Sequence, residues 1–341
     1  MIKAKFHKRI FHFKRPSGTS RGVLTEKHAW FIEIWKEESP SVIGIGECSI
    51  IPGLSPDFVN LESYEEKLTE VCNDLTIDLQ EWPSILFGVE CALLDLKNGG
   101  KGIYFDNAFS RGKQQIPING LIWMGSEEFM QQQVEEKIDA GFSVIKMKIG
   151  AIDFETELNI LAAIRKKFSK EQLTLRVDAN GAFSPEEALV KLQRLAELDI
   201  HSIEQPIKKG QYIAMNQLCK NSSLDIALDE ELIGINSTAS KIDLLDSIKP
   251  PFIILKPSLH GGISGCKEWI QLAEERSIAW WITSALESNI GLNAICQFVG
   301  EYDVSLPQGL GTGALYTDNI ESDLVVKNGM IYKKRMSNTY I

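Results

Sequence analysis

The chain has 341 residues, 44% of them apolar and 24% charged, with a mean hydropathy of -0.08. These values describe a globular protein and exclude disordered and collagen-like compositions. Its 36 Lys and Arg residues against 46 Asp and Glu residues leave a formal charge of -10, which argues against a nucleic-acid partner, because a phosphate backbone needs a basic face.

The length suggests two or three domains, or one large barrel with an attached domain. Six dispersed cysteines (Cys48, Cys72, Cys91, Cys219, Cys266 and Cys296) have no Cys-x-x-Cys or Cys/His spacing and read as buried small hydrophobes rather than zinc ligands. No apolar run of about 18 residues and no leader pattern is visible, so no membrane partner is expected and the expected location is cytoplasmic. Nothing in the sequence speaks to oligomeric state.

In residues 1–112 the stretch Ile2-Lys3-Ala4-Lys5-Phe6 alternates in strand fashion, and strand-like runs follow at Ala29–Trp35 and Val42–Gly46. Helical stretches come next around Ser63–Cys72 and Ser84–Lys97, the second with an apolar stripe of Val89, Ala92, Leu93 and Leu96. This region reads as a separate α+β domain, joined to the rest by the linker Lys101–Gln115. From 113 to 314 the pattern becomes an apolar run, a polar or Gly-containing break and an amphipathic helix, repeated. The runs are Pro117–Met124, Ser143–Ile149, Leu173–Ala179, His201–Pro206, Asp225–Asp229, Phe252–Lys256, Ile278–Ser284 and a short last one near Val304–Leu306. Eight such runs predict a parallel α/β barrel.

Helix starts are legible between them. Ser184-Pro185-Glu186-Glu187 combines an N-cap, a proline at the first helical position and early acids, and Gly261–Arg276 reads as a helix with a Gly-rich start. In the tail, 315–341, two strand signals (Leu324–Lys327 and Met330–Lys333) flank Asn328-Gly329 and predict a hairpin packing back on the N-terminal domain.

A parallel barrel places its active site at the carboxyl ends of its strands, so the residue ending each run is the informative one. In order these are Lys146 and Lys148, then Asp178, Glu204, Asp229, Lys256, and Ser284 with nearby Glu287; from Lys148 to Ser284 they are spaced 25 to 30 residues apart, one βα unit each. Three carboxylates from adjacent strands, Asp178, Glu204 and Asp229, repel one another unless a cation sits among them. Oxygen ligands alone, with no His or Cys at these ends, favour Mg²⁺ over zinc.

Lys146 and Lys148, two apart on a strand, point to one face. Together with inward-pointing Arg176 they are expected to depress one another's pKa, which makes a neutral lysine base plausible near pH 7. Lys256 lies across the barrel from them. A metal flanked by an amine on each side suits removal of a proton α to a carboxylate, with the cation stabilising the enediolate.

With these motifs in hand, Lys146-Met147-Lys148, Arg176-Val177-Asp178-Ala179-Asn180, Ile203-Glu204-Gln205-Pro206, Leu228-Asp229-Glu230 and Leu255-Lys256-Pro257, the chain resembles the enolase superfamily, specifically its muconate-lactonizing-enzyme-like subgroup. The resemblance implies an α/β fold, a (β/α)7β TIM-like barrel with an N-terminal α+β capping domain completed by the C-terminal tail. It also implies the established chemistry of that superfamily, a Lys or His base with one or two Mg²⁺ ions. Pro16–Gly22, Gly46–Ser55, Thr283–Ser288 and Gly309–Gly313 look most like segments of the o-succinylbenzoate synthase family, the dehydratases of menaquinone synthesis.

Carried over by motif, Lys148 is the expected base and the acid assisting hydroxide departure, Lys256 stabilises the enediolate, and Lys146 and Arg176 tune Lys148. Asp178, Glu204 and Asp229 hold Mg²⁺. Asn180, Ser284 and the capping-loop residues Thr19, Ser20 and Arg21 border the pocket of a small-molecule carboxylate substrate.

Rival readings use the same machinery. Two facing lysines also suit a racemase of N-succinylamino acids or a dipeptide epimerase. Dipeptide epimerases of the superfamily usually carry Asp-x-Asp after the last strand, whereas this chain has Gln308-Gly309-Leu310-Gly311-Thr312-Gly313 there. That argues against a cationic substrate. A muconate-type cycloisomerase fits the loops less well, and a non-catalytic scaffold barrel is disfavoured by intact lysines on both faces.

Overall fold

The computed structural model describes residues 1–19, 22–123 and 125–334. The chain opens with β1 (Ile2–Thr19), β2 (Gly22–Lys36) and β3 (Ser39–Ser49), an antiparallel sheet in the order β1-β2-β3. Strand side chains alternate between faces, and here both faces are covered. Trp30, Ile32 and Ile34 of β2 pack on helices α1 (Leu61–Asn73) and α2 (Pro83–Lys97). Ala29 and Phe31 join Phe11 and Phe13 of β1 with Leu286 and Tyr316 from the far end of the chain. The expected run Ala29–Trp35 is the mostly buried C-terminal half of a longer strand, whose first half, Gly22–His28, is largely exposed and breaks its apolar signal after Val23 and Leu24.

α1 is capped by Asn60, whose Oδ1 accepts from the Ser63 N–H at 2.9 Å, and α2 starts on Pro83. α2 lies backbone to backbone on β3 because Gly44 and Gly46 leave room. A Cβ at Gly46 would stand 1.8 Å from the Gly88 carbonyl oxygen, and one at Gly44 2.0 Å from that of Ala92.

β4 (Gln115–Pro117) leads into the barrel, which then runs β5 (Gly120–Ile122), α3 (Glu127–Asp139), β6 (Val144–Lys148), α4 (Phe154–Lys167), β7 (Thr174–Asp178), α5 (Pro185–Ala196), β8 (Ser202–Glu204) and α6 (Tyr212–Asn221). It continues through β9 (Asp225–Leu228), α7 (Thr238–Ile248), β10 (Phe252–Leu255), α8 (Gly262–Glu274), β11 (Ala279–Ile282) and α9 (Asn289–Val299). β5 to β11 form one parallel sheet in sequential order. The Ser184/Glu187 capping box opens α5 as its sequence signalled. Among the described residues no helix is long and apolar enough to cross a membrane.

The ring closes two residues later than the sequence suggested. Parallel bridges join Gln308 to Ile118 and Gly309 to Thr283, with Gln308 N–H donating to Pro117 O at 2.8 Å and Gly309 N–H to Ile282 O at 2.8 Å. Leu306, part of the expected last run, instead packs on Ala227, Ile254 and Trp281 inside the barrel. Pro307 has no N–H to give a ladder, so pairing starts at Gln308.

The tail hairpin forms, from β12 (Leu324–Lys327) and β13 (Met330–Lys333), with Asn328 at φ 52° and Gly329 at φ 69°, both positive as a type I′ turn requires. Its place differs from the expectation. β13 pairs with β4, and the stretch before the hairpin is what reaches β1: Lys14 N–H donates to Leu315 O at 2.8 Å and Thr317 N–H to His12 O at 2.9 Å. β4, though three residues long, offers β13 an edge, whereas the part of β1 that the tail meets, His12–Lys14, is paired with residues 315–317.

The α2–β3 contact gives a test. Gly46→Ala forces the two backbones apart and is expected to lower stability by about 1–3 kcal/mol, the usual scale of overpacking, read as a reduced thermal midpoint, whereas an alanine tolerated without loss would mean the backbones are not in contact.

Candidate active site

The register of the parallel sheet sets the site. Lys146 lies opposite Arg176 and Lys148 opposite Asp178 across β6 and β7; Asp178 lies opposite Glu204, and Glu204 opposite Ala227. Asp229 stands two residues beyond Ala227 and so returns to the same inner face. Ala227 is level with Phe252 on β10, so Lys256, four residues further on, points inward as well. Below this charged layer Ala227, Ile254, Trp281, Phe252 and Leu306 fill the barrel.

Lys146 Nζ donates to Asp178 Oδ2 at 3.0 Å and Glu204 Oε2 at 2.8 Å. Lys148 Nζ donates to the same Asp178 oxygen at 3.0 Å and to Asn180 Oδ1 at 2.7 Å, while Lys256 is ion-paired with Asp229. Asn180, at φ 45°, donates in turn to Glu230 Oε1 at 3.0 Å. The six charged groups of the expected set, Lys146, Lys148, Lys256, Asp178, Glu204 and Asp229, therefore meet in one cluster.

Burial works against every charge in it, and the neighbours decide the outcome. The Lys146 pKa is pushed down by burial but raised further by Asp178 and Glu204, and ends above its ordinary value. That reverses the expected depression, because the nearest groups across the strands are carboxylates rather than other cations. Lys256 is likewise raised, Asp229 and Glu204 outweighing burial. Burial acts upward on Asp178, yet Lys146, Lys148 and Lys256 hold its pKa below the usual carboxylate range, and Lys256 does the same for Asp229. Glu204 goes the other way, raised by burial and by Asp178 beside it.

Arg176 sits one layer lower than expected for a group that tunes Lys148. Its guanidinium lies over the Trp281 ring, 4.2 Å from the centroid, and donates to Pro307 O at 2.8 Å. Burial lowers its pKa to about 10 against the pull of Glu204. It braces the ring-closing segment.

Among the described residues no three acidic, His or Cys side chains are drawn close enough around one point to cage an ion as they stand; the ammonium groups occupy the space between them. The donor set still suits a hard cation. Glu204 Oε1 and Asp229 Oδ1 are buried without a hydrogen-bond partner, and buried carboxylate oxygens left unpaired are costly unless a cation takes them up.

Above the cluster is a pocket of about 140 Å³. Lys146, Lys148, Asp178, Glu204 and Lys256 form its floor; Asn180 and Ser284, both expected there, line it. Its walls include Leu24, Ile51 and Leu54 from the N-terminal region, Asn119 and Trp123 from around β5, Thr312 after the ring-closing segment and Leu315 at the start of the tail. Ile51 and Leu54 come from the Gly46–Ser55 segment. Thr19 ends β1, and Ser20 and Arg21 lie outside the described residues.

Glu230 and His260 carry no role in the sequence reading. Glu230 follows Asp229 and was legible only as part of its motif. His260 is buried, and its Nδ1 accepts from the Lys256 N–H at 2.9 Å, fixing the strand end that presents Lys256; a histidine before a Gly-Gly helix start gave no signal of this.

The comparisons place the chain. The model of the family described as enolase C-terminal domain-like matches residues 129–335. The o-succinylbenzoate synthase of Desulfotalea psychrophila is 46% identical over 94% of this chain and 95% of its own length. The crystal structure of MenC from the same organism superposes with a TM-score of 0.87 at 42% identity, covering 97% of this chain and 99% of that one. A dipeptide epimerase of Enterococcus faecalis, solved with Mg and the dipeptide L-Leu-L-Tyr, shares the fold at a TM-score of 0.80 and 19% identity, with 98% and 97% covered. The chain belongs to the enolase superfamily and, within it, to the o-succinylbenzoate synthase family.

His260 makes the site sensitive to acid. Burial lowers its pKa from 6.5 to about 3, Asp229 opposing. The folded state keeps the ring neutral, so its contribution is complete above about pH 6.5 and is lost as the pH falls toward 3, where the unfolded chain binds the proton first. The thermal midpoint is expected to drop between about pH 7 and pH 4.5, and less steeply in His260→Asn, as the linkage requires; equal slopes would remove the assignment.

Proposed function

We propose that the chain is a Mg²⁺-dependent dehydratase that converts 2-succinyl-6-hydroxy-2,4-cyclohexadiene-1-carboxylate into 2-succinylbenzoate and water. The observation that carries this reading is the placement of Lys148 at the end of β6 and Lys256 just beyond β10, four strands apart around the ring, over carboxylates at the pocket floor. The relationship to o-succinylbenzoate synthase over nearly the whole chain supports it. A cytoplasmic location and a place in menaquinone synthesis come with the family reading.

Asp178, Glu204 and Asp229 would hold Mg²⁺, which would supply Lewis-acid stabilisation of negative charge on the substrate carboxylate. Lys148, in its neutral form, takes the proton α to that carboxylate, and the C–H electron pair moves toward the carboxylate. The pair then returns to form the ring double bond as the C–OH bond breaks, and Lys148 gives its proton to the departing hydroxide. Water leaves, the ring is aromatic and Lys148 is neutral again. Lys256 stays protonated on the opposite side and stabilises the charge. Lys146, held by Asp178 and Glu204, keeps the neighbouring carboxylates in place, and Asn180 orients Lys148.

In this reading residues 1–112 are a capping domain and 113–314 the catalytic barrel, and of the segment 315–341 the stretch 315–318 reaches the cap through β1 while the hairpin pairs with β4. Ser284, with Thr19, Ser20 and Arg21, would border the substrate. Racemisation of an N-succinylamino acid is the second reading, favoured by the amines on two faces. The segment Gly309–Leu315 of the wall carries no acid to receive an ammonium group.

The test is turnover of the hydroxycyclohexadiene dicarboxylate, followed by loss of diene absorbance, with Mg²⁺ and with excess chelator. Rapid metal-dependent conversion is expected. Lys148→Ala and Lys256→Ala should each lower kcat by about 10²–10⁴-fold, the range for a positioned acid or base, in a protein that still folds. Asp229→Asn should weaken Mg²⁺ binding and abolish turnover. Full activity in chelator, or of either lysine variant, would refute the assignment; α-proton exchange in D₂O on N-succinylamino acids without dehydration would favour the racemase.

A further inference from the structure

A second buried ionic cluster lies behind the pocket wall, away from the strand-end carboxylates. Lys27 of β2 is 2% exposed, and Glu47 of β3 and Glu287 after β11 are fully buried. Lys27 Nζ donates to Ala285 O at 3.0 Å. Glu47 accepts from the Ser288 N–H at 2.8 Å, the Ser288 hydroxyl at 2.6 Å and the Gly291 N–H at 2.9 Å, which ties β3 to the first turn of α9. Glu287 accepts from the Ser284 hydroxyl at 2.5 Å and from that of Ser258.

The segment between these anchors is strained. Leu286 has φ 63°, a left-handed backbone that a leucine adopts only when its surroundings over-determine it. Its carbonyl accepts from the buried Tyr316 hydroxyl at 2.6 Å, and the carbonyl before it is the one Lys27 holds. Ser284, Ala285 and Leu286 all line the pocket. The shape of that wall is therefore set by groups that do not touch it from the pocket side. Lys27 does two things at once: attracted by both Glu287 and Glu47, it offsets part of the repulsion between the two buried carboxylates, and it pins Ala285 O.

We propose that Lys27 is a positioning residue for substrate binding: from the N-terminal sheet it holds the Ser284–Glu287 turn in the form that makes the pocket wall against the part of the substrate remote from the strand-end lysines. This rests on the reading that the pocket above the lysines takes the substrate. A wall contact that the substrate makes equally in the ground and transition states is uniform binding, and its loss appears in KM and not in kcat.

The experiment uses the full chain with Mg²⁺ and compares wild type with Lys27→Met. KM for the hydroxycyclohexadiene dicarboxylate, and Kd for 2-succinylbenzoate by calorimetry, should rise about tenfold with kcat within about twofold, the pattern of lost uniform binding. Hydrogen exchange of residues 284–288 should accelerate by about tenfold or more while strands β6 to β9 are unchanged, the pattern of a local loosening. Where Lys27→Met is too unstable to purify, Lys27→Met/Glu287→Gln removes one charge of each sign, and the same rises are expected. A lowered thermal midpoint with KM, Kd and exchange at wild-type values would show a merely structural lysine and overturn the proposal, as would a fall in kcat at constant KM. Wild-type protein that neither converts the diene nor binds the product would instead refute the functional reading. In that case the exchange of 284–288 alone decides whether Lys27 holds the turn, and unaltered exchange refutes it.

Discussion

The arrangement of this protein depends on mutual neutralisation at the mouth of the barrel. Asp178, Glu204 and Asp229 are each almost fully buried, and burying a carboxylate without a partner costs several kcal/mol. Lys146, Lys148 and Lys256 remove that cost by sitting among them. The pairing exists only in the observed register. A slip of one residue in β7 would turn Arg176 and Asp178 outward into the apolar layer between strands and helices, where Val177, Leu175 and Ile203 now pack. Core and charged layer thus specify the same alignment, and the geometry that could support proton abstraction follows from it.

This also explains how much was legible beforehand. The strand ends could be read because two simple periods coincide, two residues along a strand and one βα unit along the chain. Protonation could not be read. Lys146 and Lys148 are neighbours in sequence and suggest mutual repulsion, but the partners that decide their charge lie 32 and 58 residues away for Lys146. The same holds for Arg176, whose aromatic partner Trp281 comes from the opposite side of the ring. The closing segment was misplaced by two residues because apolar content marks packing, and Leu306 packs, partly buried, inside the barrel rather than in its wall. Tail pairing failed as a prediction for a related reason: a hairpin declares its own turn but not the edge it will find.

Lys27 and Glu47, and the buried setting of Glu287, were invisible in a different way. A lysine within a strand and a glutamate beside a serine are ordinary surface patterns, and only the two-sided burial of the N-terminal sheet makes them interior. That sheet packs its even-numbered face on α1 and α2 and its other face toward Leu286 and Tyr316. Strand β2 thereby supplies Leu24 to the pocket and Lys27 to the turn behind it.

Floor and wall are consequently held by different means. The floor is a product of sheet register, so altering it disturbs the barrel itself. The wall turn is held by β2, by Ser258 beyond β10 and by Tyr316 in the tail, three segments that can change without shifting a barrel strand. A fold built this way can retain one half-reaction while its walls accept different acids; the Enterococcus faecalis epimerase, solved with a dipeptide, shares the fold at 19% identity. In this chain the wall is mixed, with Leu24, Ile51, Leu54 and Trp123 beside Asn119, Ser284 and Thr312; it carries no acid between Gly309 and Leu315, and the lysines lie at the floor. On the proposed reading the lysines of the floor would meet the carboxylate at the reacting end, and the wall would decide which acid is accepted above them.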